Sequence, residues 1–517
     1  MSEMVVDSTS RVRSYGNITD TKVTGIMGLS LAATAVAGAG AIGALLVLWF
    51  GQLLWLAVLL LVLTVPATWY LQSKDRNERS RAEKRLAQTM FRKAQKKGHT
   101  RYVAGPASQV PDGSFRAPGL LAATEMLEGH TTFGQPFAML WAPRTQTGAV
   151  FIGTSSTGIG LRDQESVDQM VDAWSEFQRE AGSVPSLVQV SVTTQSTADP
   201  GERLRDAVEV ARSVAGAEAD GSTFAREVIG DVVDELSSWT PRLDQWITLT
   251  FSARESTDGA VPARTAPELM EEIGGVLPGF CELATVSGAG AVSLLQVADV
   301  TDSTHVAFNP SAAADVERAR LTAAGTGLSW EEVGPTSAEV LAKPMCYAHS
   351  GAVSKSWQMF GAPSGVFREW GLRALLEPDD RFMQKRVTVF YRPADPQSSV
   401  REVNARIVNA EFAANQKNRR VSAAEQLAVA KAKQAAQEQA RGAAMVRFSI
   451  LVTATVGSAG QELAKAEAAI RQKAAQGIQL RLRGCDHNDD AAFAMGLGLG
   501  IVPDKAATLS DAMRRAL

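Results

Sequence analysis

Three short tracts hold residue types that could do chemistry. Gly153-Thr-Ser-Ser-Thr-Gly158 has the G-x4-G spacing of a phosphate-binding loop, between a strand pattern and a helix pattern. Such a loop needs a Lys to reach the β/γ-phosphates and a Ser or Thr to hold Mg²⁺. Here Ile159 and Gly160 follow, so the tract reads as a Gly/Ser/Thr turn. Gly496-Leu-Gly498-Leu-Gly500 has the glycines of a dinucleotide loop, but it follows a helix pattern instead of joining a strand to a helix, and it too reads as a turn. Cys485-Asp486-His487-Asn-Asp489-Asp490 carries metal-ligand chemistry. Consecutive residues close a tetrahedron poorly, however, and Asp486, Asn488 and Asp489 are equally good helix N-caps. There is no G-x-S-x-G and no HExxH. The chain therefore reads as non-catalytic, with no catalytic, cofactor-binding or metal residues. Its tryptophans at 174, 239, 246, 330, 357 and 370 are expected in the core.

The elements that must position these tracts follow from periodicity. Pro106 to Pro118 reads as a linker, followed by a short helix from Gly119 to near Gly129. Phe137–Trp141 and Ala149–Ile152 read as strands. After Asp163, apolar residues at 167, 170, 171, 174 and 177 mark an amphipathic helix. Val188–Thr193 is a strand, 202–236 helical, Trp246–Ser252 a strand and Pro267–Leu283 a helix. Cys346–His349 and Val353–Met359 form a hairpin, Ser364–Leu376 a short helix and Arg386–Tyr391 a strand. The remainder reads as a long Ala-rich helix at 422–444, a strand Phe448–Val456, a helix Glu462–Gln476, a strand Leu480–Arg483 and a helix Ala491–Leu497. The strand–helix–strand units at 149–193 and 446–484 suggest a pseudo-repeat of plait-like, ferredoxin-like halves. The fold class is α+β, with one cytoplasmic domain at 106–330 and a second at 331–517.

The N-terminus sets where this body works. Between Lys22 and Lys74 there are 51 residues without a charge, with Gly51-Gln52 in the middle. A spanning helix needs ~20 apolar residues, so 23–73 has room for a two-helix transmembrane hairpin. Trp49, Trp55, Trp69 and Tyr70 fall near the expected interfaces. Small residues in the first span (Ser30, Thr34, Gly38; Ala35, Ala39, Gly43) have the spacing that lets helices approach closely. Eleven Lys/Arg against three acids lie between Lys74 and Arg101. The positive-inside rule then places both termini, including the 1–22 tail, in the cytoplasm of a multi-pass protein of the cell membrane. The basic juxtamembrane segment 74–105 is expected to meet anionic lipid headgroups. Net charge is -3, which points away from nucleic acid, and Cys281, Cys346 and Cys485 form no paired framework.

The order Ala440-Arg-Gly-Ala-Ala-Met-Val-Arg-Phe-Ser-Ile-Leu-Val-Thr-Ala-Thr-Val456, then Leu480-Arg-Leu-Arg483, then Ala492-Phe-Ala-Met-Gly-Leu-Gly-Leu-Gly500 resembles the N-terminal, non-ATPase domain of TraC/TrsE-class type IV secretion ATPases. The hairpin and basic helix resemble the small PrgI-like membrane subunit of those systems. Arg13-Ser-Tyr-Gly-Asn17, Pro118-Gly-Leu-Leu-Ala-Ala123, Gly134-Gln-Pro-Phe137 and Asp163-Gln-Glu-Ser-Val-Asp168 extend the likeness to actinobacterial conjugation-associated membrane proteins. Gly498 stands where the ATPase element usually has Pro, and Cys485–Asp490 replaces an aromatic-Gly-x-Gln stretch. The resemblance implies a membrane scaffold, oligomeric in its assembly, that recruits a separate secretion ATPase and contacts other channel subunits. A type VII, EccE-like component and a membrane-anchored enzyme are the alternatives.

Overall fold

A computed structural model describes residues 31–502, apart from short stretches that include 52–53, 74–78, 216–222, 255–261, 364–369, 394–402, 412–422 and 441–445. The 1–22 tail, the start of the first span and residues 364–369 of the expected short helix lie outside the described residues.

Two apolar helices, α1 (Leu31–Gly51) and α2 (Leu54–Gln72), pack side by side, and each is long and apolar enough to cross a membrane. Of the two expected small-residue rows, the one through Gly43 meets Leu60 of α2, and a further pair adds to the close approach. A Cβ at Gly38 would meet open space, whereas Gly40 and Ala44 are buried and Gly40 abuts Thr64. Next comes α3 (Arg81–Lys96), fixed at its start by a capping box between Ser80 and Glu83. A short strand, β1 (Arg101–Val103), leads into the body.

The body begins with β2 (Glu125–His130), β3 (Pro136–Ala142), β4 (Thr147–Ser155), α4 (Gln164–Ser183) and β5 (Leu187–Ala198). It continues through α5 (Glu202–Ala215), α6 (Thr223–Trp239), β6 (Pro241–Ser252), α7 (Ala266–Ala284), β7 (Ala291–Leu294), α8 (Val297–Phe308) and α9 (Ala313–Arg320). The second half holds β8 (Ser337–Ala342), β9 (Met345–His349), β10 (Ala352–Gly361), α10 (Arg373–Leu376) and β11 (Gln384–Pro393). It ends with α11 (Ala423–Ala440), β12 (Val446–Val456), α12 (Gln461–Ala475), β13 (Arg481–Gly484) and α13 (Asp489–Gly496). The fold is α+β, with one large antiparallel sheet in the order β1-β8-β9-β10-β12-β11-β5-β6-β4-β3-β2; β7 pairs β4 and β13 pairs β10.

The expected helix ending near Gly129 is a strand instead. Only Gly119–Leu121 forms a helical turn, and Glu125–His130 pairs along β3. Glu, Met and Leu favour helices locally, but cross-strand pairing overrides that preference.

The two halves repeat each other. Gly148 faces Phe251 across β4–β6, and 205 residues later Val353 faces Val456 across β10–β12. Thr193 faces Trp246 across β5–β6, just as Thr388 faces Leu451 across β11–β12. Gly153 faces Ser293 on β7, just as Gln358 faces Arg483 on β13. The sequence echoes this as Ile247-Thr-Leu-Thr-Phe251 and Val452-Thr-Ala-Thr-Val456. The repeat suggested by periodicity is thus present with different partners: 446–484 matches β6–α7–β7, and β4–α4–β5 matches β10–α10–β11. The halves join where β5 meets β11 in antiparallel register. There the equivalent threonines Thr193 and Thr388 stand opposite each other, their hydroxyls 3.2 Å apart.

One face of the sheet buries apolar residues against helices. In the first half Val150, Ile152, Leu249 and Phe251 pack against α7 (Leu269, Ile273, Leu277) and α4 (Phe177). In the second half Trp357, Val387, Val452 and Val456 pack against α12 (Leu463, Ala466, Ile470). Each such side chain contributes roughly 1.5–3 kcal/mol by leaving water. Trp357 is buried as expected, but Trp370 is 43% exposed. The opposite face carries Thr193, Thr248, Thr250, Thr388, Thr453 and Thr455, all fully buried. Polar as it is, this face is covered, and what covers it is the residue set of greatest interest.

Candidate functional site

The cover of the threonine face is the glycine tract. Beyond α13 the chain crosses the sheet as a strap, and its carbonyls accept the sheet's side-chain donors. Thr388 Oγ1 donates to Gly496 O (3.1 Å), Thr248 Oγ1 to Gly498 O (2.6 Å), and Thr250 Oγ1 to Gly500 O (3.2 Å). Trp246 Nε1 (3.4 Å) also points at Gly498 O, and Gln189 Nε2 reaches Ile501 O (3.3 Å). The glycines let the backbone come this close. A Cβ on Gly496 would lie 2.7 Å from Thr453 Oγ1, one on Gly498 would run into Thr193, and one on Gly500 into Ala149. Leu497 and Leu499 turn the other way, into a core with Phe308 of α8 and Phe493 of α13. The strap thus begins over the second half and ends over the first. The expected turn is an interhalf clamp, and its glycines serve the sheet, with no phosphate contact needed to explain them.

The Gly153–Gly160 tract is placed at the exposed end of β4, after which β7 pairs alongside and Ser155 bridges to Gly290. Leu295 fills the space beside Gly153. With residues 157, 159 and 161 outside the described set, the described part shows Ser155, Ser156, Gly158 and Gly160 at the surface and no lysine of the tract itself.

Periodicity gave no hint of a buried hydroxyl–imidazole chain. His349 Nε2 lies 2.7 Å from Ser354 Oγ, which lies 2.7 Å from Thr455 Oγ1, while His349 Nδ1 lies 2.6 Å from Phe308 O. A serine beside a histidine is the geometry of an activated nucleophile. Here Ser354 is 1% exposed, and burial pushes the imidazole down to about 4, so it is neutral at pH 7. The chain satisfies buried polar groups.

Arg386 lies on this same covered face, its guanidinium 4.9 Å from the centre of the Phe493 ring. All three of its nitrogens are buried without a hydrogen-bond partner among the described residues, and burial pulls its pKa down to about 9. A buried charge without a counter-charge costs several kcal/mol, which one cation–π contact offsets only in part. Arg386→Met is accordingly expected to raise the unfolding free energy by about 1–3 kcal/mol. Urea denaturation measures this, and a loss of stability would show that Arg386 is compensated.

The Cys485–Asp490 tract links β13 to α13. Cys485 is buried and its thiol is pushed up to about 12, chiefly by burial. His487 packs its ring 5.0 Å from Phe91 of α3. Its pKa is lowered by burial and by Arg79, Arg92 and Lys84, partly offset by Asp486. Asp489 is 1% exposed, and both carboxylate oxygens lack a hydrogen-bond partner among the described residues. Burial, with Asp486 and Asp490 adding repulsion and Lys355 and the nearby His487 backbone N–H opposing, pushes it up to about 7. Among the described residues no group of three or more His, Cys, Asp or Glu is arranged to hold a metal. The tract is where the basic helix α3 seats on the body.

A scan against protein-family models and a search of curated proteins both found no match to this chain.

Proposed function

We propose that the protein is a non-catalytic membrane scaffold whose body is a docking platform for a motor carried by another chain. The observation that carries this reading is the pairing of a body whose His349–Ser354–Thr455 chain is spent on internal packing with two apolar helices tied to it through a basic helix. In this reading α1 and α2 form a transmembrane hairpin in the cell membrane, with both termini in the cytoplasm. The basic residues behind α2 support that orientation. Each half is a plait of the ferredoxin-like kind. The strand order β7-β4-β6-β5, repeated as β13-β10-β12-β11, supports this.

The likeness of 420–500 to the non-ATPase domain of TraC/TrsE-class proteins favours a conjugative type IV-like secretion system. The partners would be its ATPase, other inner-membrane channel subunits and anionic lipid headgroups, with several copies in the assembly and no direct contact to nucleic acid. Cross-linking of the tagged full chain in its native membranes, then purification, tests this. Recovery of a TraC/TrsE-class ATPase is expected. Recovery of an FtsK-like, multi-P-loop ATPase would move the protein to the type VII, EccE-like alternative. ATP turnover by the purified full chain, lost on changing Gly158, would make it an enzyme.

A further inference from the structure

The helix α3 has two working faces. Phe91 is 7% exposed and sits in the core shared with Leu121, Phe308 and Phe493, and its ring meets His487. Lys84 and Arg92, with Arg79 just ahead of the helix, lie close enough to the Asp486–Asp490 tract to act on the His487 imidazole. One side of the helix is thereby seated on the body. At ~100° per residue, Arg85, Leu86, Lys93 and Lys96 lie roughly 120–160° from Phe91 around the helix. All four are exposed, and Leu86 and Met90 add apolar surface among the cations at 37% and 49% exposure.

At its start α3 is joined to the end of α2. The Arg81 guanidinium stands 4.9 Å from the Trp69 ring, Arg85 stands 5.2 Å from the Tyr70 ring, and Tyr70 Oη donates to Arg81 O at 3.4 Å. Trp and Tyr at the end of an apolar helix mark the headgroup level. The first turns of α3 are thereby held at that level, with the body on one side and a cationic, partly apolar face on the other. That combination is the signature of an interfacial helix.

We infer that α3 lies flat between the bilayer and the body, its Arg85/Leu86/Met90/Lys93/Lys96 face set into an anionic phospholipid surface and its Phe91 face holding the body against the membrane. This rests on the reading of α1 and α2 as a membrane hairpin. A second copy of the chain is a poorer occupant, because two such faces would place like charges against each other. Binding strength of this kind scales with buried apolar area and with the charge of the leaflet.

The test uses the full chain with Cys281→Ser, reconstituted into vesicles of phosphatidylcholine alone or with added phosphatidylglycerol. Spin labels are placed one at a time at Leu86→Cys, Ala87→Cys and Val62→Cys, and collisions with oxygen and with a water-soluble nickel chelate are compared. The label at 86 is expected to lose nickel access and gain oxygen access when phosphatidylglycerol is present. That shift should vanish in Arg85→Glu/Lys93→Glu/Lys96→Glu. The label at 87, on the body side, should be reached weakly by both reagents in both lipids. If position 86 stays open to nickel in both lipids while position 62 is reached by oxygen alone, the hairpin spans but α3 is not interfacial. If position 62 is itself open to nickel, the membrane reading fails and the inference with it.

Discussion

Replacing Gly498 by Ala is expected to cost about 3–5 kcal/mol of stability, from overpacking together with a left-handed backbone that L side chains resist. Gly498 has φ +67, and a Cβ there would meet Thr193 Oγ1, with Trp246 Nε1 at 2.9 Å. Thr193 cannot step aside, because it is fully buried in β5 at the junction with β11. If the strap lifts instead, Gly498 O loses Thr248 and Trp246, and a buried hydroxyl left without its acceptor costs about 1–3 kcal/mol. Gly279→Ala is the control: it lies within α7, and a Cβ there meets nothing within 4 Å. That change should be neutral or stabilising by up to about 1 kcal/mol from helix propensity. Chemical denaturation of both variants checks the pair. Thr193→Ala introduced with Gly498→Ala should recover the steric share and leave the backbone share. Additive losses in that cycle would mean the two residues do not meet.

The strap also explains why part of this fold was legible in the sequence and part was not. Segments with a clean period stood out. The α4 helix, with Trp174 stacked at 4.9 Å on Phe177, and the strand Phe448–Val456 fall where the apolar spacing puts them. The threonines between those apolar positions were another matter. Alternation ordinarily means one wet face, as in most antiparallel sheets. In this molecule the face is dry because α8, α13 and the strap lie over it, so Thr248, Thr250, Thr453 and Thr455 are as buried as their apolar neighbours. Nothing local to a Thr reveals a cover that arrives from 250 residues away, as Gly498 does for Thr248. The short strands β2 and β7 failed for a related reason. Each is defined by its partner strand and too short to carry a period. The Cys485–Asp490 tract was visible as unusual chemistry, but its neighbours Phe91 and Lys355 lie far away in the chain, so its role as a seat for α3 could emerge only from packing.

Within that seat, Asp489→Asn is expected to stabilise the protein at pH 8 by about 2–4 kcal/mol, with the gain fading toward pH 4, on the basis of ~1.4 kcal/mol per unit of pKa displacement. The sign follows from the direction of the shift. Asp489 is raised from 3.8 to about 7, so the folded protein binds a proton that the unfolded chain has released anywhere between those values. Its contribution to stability is fully present below pH 3.8 and is lost as the pH climbs to about 7. Above that, the wild-type fold holds a buried carboxylate whose two oxygens find no hydrogen bond among the described residues. Asparagine has the same shape and no charge to bury. It gives up the attraction of a carboxylate for the first turn of α13, about 0.3–1 kcal/mol, which is smaller than the burial penalty it removes. Unfolding curves of both proteins at pH 5, 6.5 and 8 should therefore separate progressively as the pH rises. Curves that stay parallel would mean that Asp489 is already ionised and compensated at pH 5, with Lys355 drawn closer than its ion pair with Glu467 at 3.2 Å implies. The gain bears on α3 as well. Ionised Asp489 adds to the negative charge that Asp486 presents at His487, where Arg79, Lys84 and Arg92 of the α3 region gather. The charge that weakens the fold above pH 7 therefore strengthens the seat of the basic helix, and Asp489→Asn should make the body more stable while loosening α3, a separation that hydrogen exchange of residues 81–96 reads directly.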